Sequence, residues 1–228
     1  MKILSGDKVL LGKYLLGKFI DRIGNIHFLK VFEKDLIVAT KKLEHPDIQT
    51  RLTAISTLEQ IAHNYPLSHW EVIEILAGFV RTAKIESHAS SKIGRDIQAA
   101  LSVICGRDTN KDPKNEQLDL SYANMQGANL QHAHLQGANL TGANLSKANL
   151  ADADLQQTIL CAANLSEANL AGANLSQAIL GAAKLHAVNL TGANLSQANL
   201  FLANLVGANL VGANLCGCNL RDVNLYPK

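Results

Sequence analysis

Residues 138–150 read Ala138-Asn139-Leu140-Thr141-Gly142-Ala143-Asn144-Leu145-Ser146-Lys147-Ala148-Asn149-Leu150, a five-residue phrase repeated without a gap. It runs from Leu120 to Leu225, where every fifth residue is Leu except Met125, giving 22 central positions in one register. Ala stands two places before the centre in 17 cases, the exceptions being Leu118, Thr158, Val188, Cys218 and Val223. Asn stands one place before it in 16.

A period of five excludes an α-helix, on which successive Leu residues would fall about 140° apart and form no apolar stripe. On extended backbone, residues two apart share a side, so Ala and Leu point inward and Asn points outward. The two remaining positions, often containing Gly, Ser, Gln or Asp, must turn the chain so that the next Ala-Leu pair faces the same interior. Each pentapeptide is then one side of a polygon.

Residues 118–225 resemble the pentapeptide-repeat family. That resemblance implies four pentapeptides per coil and an all-β right-handed quadrilateral β-helix, here preceded by an N-terminal α-helical domain. The expected rod is about 26 Å long at the usual strand spacing, with Leu filling the axis and Ala beside it.

The first half carries a different period. Leu29, Phe32, Leu36, Ala39 and Leu43, then Ile48, Leu52, Ile55, Leu58 and Ile61, recur at helical spacing. Pro46 is placed to open the second helix, and Ser68 with Glu71 forms a capping box for the third. A last helix through Ile97, Ala100, Leu101 and Ile104 stops at Gly106. Segments around Ile48–Leu52, Thr57–Ala62, His69–Leu76 and Asp96–Leu101 resemble the helical module that precedes the repeats in many bacterial, especially cyanobacterial and actinobacterial, members. The expected division is 1–108 helical, 109–117 linker, 118–225 β-helix and 226–228 tail.

Composition narrows the function classes. Of 228 residues only 4% are aromatic, and the net charge of +2 is spread thinly: residues 118–228 hold four basic and five acidic side chains. Clustered Lys/Arg, the mark of a nucleic-acid groove, is absent from that half. Four cysteines, Cys105, Cys161, Cys216 and Cys218, do not make a disulfide framework, and reduced thiols in the cytoplasm are expected. In residues 1–20, Lys8, Lys13 and Lys18 interrupt every apolar run, so neither a signal peptide nor a membrane span is expected there. Attachment of residues 1–32 to a membrane surface is a weaker alternative to packing on the helical module.

No nucleophile elbow, phosphate loop or zincin motif is present. Glu71, Glu74, His63 and His69 read as residues of ordinary helices. Cys216 and Cys218 diverge by alternation. Stacking of every fourth pentapeptide brings Asp152 beside His132 and Asp154 beside His134, a pairing that resembles metal chemistry but reads first as surface ion pairs. No catalytic residue, cofactor or metal is assigned.

The expected function is therefore a non-enzymatic protein-interaction or scaffolding module, with homodimerisation as one form of that interaction. In it the helical domain caps the N-terminal end of the rod, whose open coil would expose unpaired backbone. Mimicry of DNA toward a topoisomerase, known among gyrase-protecting members, needs on the order of 15 negative charges on a rod of this length, and the repeats offer five. The candidate partner-binding patch is the side on which Ile159 and Ile179 replace Asn and Phe201 and Leu202 follow the centre at Leu200.

Overall fold

The computed structural model describes residues 26–83 and 93–226, with side chains in the first helix described from Lys34 onward. Four helices come first: α1 Ile26–Lys42, α2 Ile48–Asn64, α3 His69–Thr82 and α4 Arg95–Cys105. Leu36 and Ala39 of α1, with Leu43 just beyond its end, meet Ile55, Leu58 and Ile61 from α2, Val72, Ile73, Leu76 and Val80 from α3, and Ala100, Leu101 and Ile104 from α4 in one core. The helical spacing of these residues is thus the spacing of a buried face.

Two helix starts differ from the expectation. Asp47 caps α2, its Oδ2 accepting from the Thr50 backbone N–H at 2.8 Å, so Pro46 lies one residue before the cap and outside the helix. Ser68 makes no side-chain capping bond, because Pro66–Ser68 forms a 3-10 turn that delivers the chain directly into α3. Leu29 and Phe32 lie in α1, but their side chains fall outside the described residues.

From residue 118 the chain winds into a right-handed four-sided β-helix. Parallel bridges join each side to the same side of the next coil, from Asp119 with Asn139 to Asn204 with Asn224, which fixes four pentapeptides per coil. Side a carries the centres 120, 140, 160, 180, 200 and 220; sides b, c and d follow in turn, one pentapeptide apart. Between neighbouring coils, each central N–H donates to the carbonyl just before the matching centre of the next coil, as Leu170 does to Asn189 at 2.7 Å. Leu and Ala of the middle coils are sealed: Leu150, Leu170 and Leu190 are fully buried. Thr158, in an Ala position, is buried too, and its hydroxyl donates to the Leu155 carbonyl at 2.7 Å.

The corners work by one rule. The second residue after every centre from Tyr122 to Asp222 sits at positive φ, while the N–H of the following inward residue donates back to the centre, as Ala143 does to Leu140. This is the type II pattern, in which Gly fits without cost and other residues accept some strain. The Asn before a centre is typically half-buried rather than simply outward. Its Oδ1 accepts from the N–H two residues on, and its Nδ2 donates to the Asn one coil earlier, as in Asn169 to Asn149 at 3.1 Å and Asn189 to Asn169 at 2.9 Å. Asn therefore closes its own corner and ties coils together.

The helical module closes the N-terminal end of the rod. Gln98 of α4 brackets the backbone of Asn129, and the carbonyl of Cys105 accepts from the His134 N–H at 3.0 Å. Arg107 Nη1 donates to the His134 carbonyl at 2.7 Å, and Arg81 pairs with Asp119. At Asn129 and His134, backbone groups that a further coil would have paired are satisfied by these side chains and by the end of a helix.

Candidate partner-binding surface

The surface begins with a missing bond. On side a the ladder runs from Asn139 to Asp119 at 3.3 Å and resumes from Asn219 to Asn199 at 3.0 Å. Between them stand Ile159 and Ile179, bridged backbone to backbone on adjacent coils. Neither side chain can donate along the side or close its corner. Ile179 is 40% exposed and Ile159 is half-buried.

The adjoining corner continues the apolar surface. Cys161 follows Leu160, Gly181 follows Leu180, and Phe201 follows Leu200; the next residues are Ala162, Ala182 and Leu202. Leu202 is 52% exposed and holds φ at 61°, an unusual conformation for a bulky side chain. Phe201 is only half-exposed, because the Arg221 guanidinium lies 4.5 Å from its ring centroid. At the other end of the same corner, the exposed Tyr122 ring lies over Gly142, where an added Cβ would come within 2.7 Å of two ring carbons. Side a and its corner thus form one apolar strip with an aromatic residue at each end.

The register that aligns this strip assigns the whole domain. Its four-sided coil, Ala-Leu interior and Asn rungs recur as eight copies of a family model described as Pentapeptide repeats, matched over residues 123–160, 163–200 and 198–226. The chain belongs to the pentapeptide-repeat family. A pentapeptide-repeat protein (Rfr23) from the cyanobacterium Cyanothece 51142 is 34% identical, covering 49% of this chain and 67% of its own, with a TM-score of 0.38. HetL from Nostoc sp. strain PCC 7120, described as involved in heterocyst differentiation regulation, is 33% identical, covering 47% and 63%, with a TM-score of 0.24. A thylakoid-lumen member from Arabidopsis thaliana is 32% identical, covering 47% and 68%, with a TM-score of 0.23. No curated protein matches the chain.

Elsewhere in this pentapeptide-repeat protein, the other candidate residues are either engaged in the fold's own contacts or lie exposed and apart. His132 Nδ1 and Asp152 Oδ2 are 4.0 Å apart on an exposed corner. His134 and Asp154 are bridged through their backbones, but Asp154 replaces Asn in its ladder, accepting from Asn174 at 3.2 Å. No group of three or more His, Cys, Asp and Glu able to hold a metal ion occurs among the described residues. Cys216 is exposed, and Cys218 points inward with its thiol donating to the Leu195 carbonyl at 2.9 Å, so the two diverge as alternation requires. Burial raises the Cys218 thiol above its ordinary range and pushes Cys105 up to about 12.

His69 is buried at the start of α3, where desolvation lowers its pKa against the opposing pull of Asp112, 3.5 Å away. His63 is exposed in the last turn of α2. A groove of about 440 Å³ separates α4 from the first coil, but Gln98, Cys105, Asn129 and His134 on its walls are the groups whose bonds cap the rod. No described helix is long and apolar enough to cross a membrane.

Residue spacing placed Ile159, Ile179, Phe201 and Leu202 on one side. It did not reveal Tyr122 as part of the same line, although Tyr122 holds in an early coil the corner position that Leu202 holds in a late one.

Proposed function

We propose that this protein is a non-enzymatic interaction module: a rigid rod that presents the strip of Ile159, Ile179, Phe201 and Leu202 to a protein partner, with the helical module as its end cap. The observation that carries this reading is the pair of isoleucines. At both positions Asn is compatible with the fold and adds hydrogen bonds, as the same side shows at Asn139 and Asn199. Apolar side chains in their place remove those bonds and leave a contiguous exposed patch, which on a water-facing surface favours association.

The variant Ile159→Asn with Ile179→Asn restores the ladder. Thermal stability is expected to hold or rise, each net hydrogen bond contributing about 1 kcal/mol. Affinity capture from the native organism, with parent and variant as paired baits, is expected to recover a partner with the parent alone. Equal recovery of every partner by a folded variant would remove this side from consideration.

A further inference from the structure

Resting on that reading, we infer that the occupant of the strip is an amphipathic helix carrying acidic side chains beside its apolar face, rather than an added strand or a second copy of this chain. The first argument is the state of the backbone. Leu160 N–H bonds the Ile179 carbonyl at 2.8 Å, Ala162 the Gly181 carbonyl at 2.9 Å, Leu180 the Asn199 carbonyl at 2.7 Å and Ala182 the Phe201 carbonyl at 2.8 Å. These groups are committed between coils, so the strip offers no edge to an extended peptide. A segment that docks here must satisfy its own backbone internally, which a helix does.

The second argument is shape. Along the corner, Ala162 and Ala182 form a low floor between Leu202 and the Tyr122 ring, which covers Gly142, with Ile159 and Ile179 along one flank. Four coil spacings of about 4.8 Å separate Tyr122 from Leu202, roughly 19 Å in all. That is the length of about 13 helical residues at roughly 1.5 Å each. Apolar residues at i, i+3, i+4, i+7, i+8 and i+11 of such a helix match a straight strip of this length.

The third argument is charge. On the other flank Lys184 takes a ladder position held by Asn one coil before and after, and it is exposed with no ion-pair partner among the described residues. Lys147 is paired with Glu167 at 3.6 Å, Arg221 with Asp222 at 3.5 Å, and Arg81 with Asp119. The nearby carboxylates are thus already engaged. A second copy of the strip brings no free carboxylate to Lys184, whereas a helix with Asp or Glu beside its apolar face does.

The test uses a phage-displayed library of random peptides, each slightly longer than the strip, selected against the full chain. Enriched peptides are expected to show helical apolar spacing with Asp or Glu, and to gain helical circular dichroism on binding. Their affinity is expected to fall at least tenfold against Ile179→Asn with Phe201→Ser, and about threefold against Lys184→Glu, a surface change that leaves the core intact. Undiminished binding to a folded double variant overturns both the inference and the reading beneath it. Three results overturn the helix while leaving the strip as an interface: strip-dependent peptides that bind extended or without acidic residues, dimerisation of the parent abolished by the double variant, or no enrichment beside a strip-dependent capture from the native organism.

Discussion

The side-chain amide of Gln98 stands in for a strand at Asn129: Nε2 donates to its carbonyl and Oε1 accepts from its N–H, each at 2.8 Å. One residue on α4 thereby closes both halves of a ladder position on the first coil.

Replacing Gln98 with Ala is expected to cost about 1 kcal/mol, since the freed groups can find water. Amide exchange at Asn129 should accelerate while exchange at Leu170 stays slow. Gln98→Glu keeps the acceptor but sets an oxygen against the Asn129 carbonyl, and should be no milder than Ala. Unchanged exchange at Asn129 in both variants would falsify the capping role.

Leu170 is fully buried in a middle coil between the equally buried Leu150 and Leu190. Leu170→Ala is expected to lower stability by about 2 to 5 kcal/mol, the range of large-to-small core substitutions. Denaturant titration measures it; a cost well below that range would mean that the axis is loosely packed.

Leu202 holds φ at 61° with half its surface in solvent. Leu202→Gly relieves the Cβ crowding of the left-handed region, typically about 1 to 2 kcal/mol, against about 0.5 to 1 kcal/mol of added chain entropy in the unfolded state. Thermal unfolding should shift upward by a small amount, while affinity for the partner drops. A clear fall in melting temperature would show that Leu202 serves packing rather than contact.

His69 titrates below its ordinary 6.5 because burial disfavours the cation, in spite of Asp112. The unfolded chain then binds a proton more readily than the folded one, so stability is full above the unfolded value and declines as pH falls through about 6.5 toward the folded value. Trp70, the sole tryptophan, adjoins His69 and reports the helical module directly. Its unfolding midpoint should be lower near pH 5.5 than near pH 7.5, and His69→Gln should flatten that dependence. A midpoint equally pH-dependent in the variant assigns the effect to another group.

The interior of the rod was legible because its signal is strictly periodic: one Leu in every pentapeptide admits a single inward face, and the structure buries the middle coils as that face requires. The Ile159–Ile179 break was legible for the same reason, as a departure from a fixed pattern. The Asn rungs were half visible. Corner closure follows from local spacing, but the bond from Asn169 to Asn149 depends on the lateral approach of coils. That the helical module caps the rod was legible from the backbone an open first coil would expose, but the bonds that make the cap were not. Gln98 meets Asn129 from a distant part of the chain, and nothing in an isolated glutamine distinguishes a backbone bracket from a solvated helix face. Ser68 shows the converse, a complete capping signature overridden by the 3-10 turn before it.

The bridges from each coil to the next make the chain behave as an index with four pointers. Lengthening it by one whole coil slides everything downstream one level along the axis and leaves every pointer facing as before. Lengthening it by a single pentapeptide between Leu170 and Ala178 preserves the interior equally well, yet swings Ile179, Phe201 and Leu202 a quarter turn away from Ile159. The two insertions leave the same repeat unbroken, and only one of them dismantles the strip.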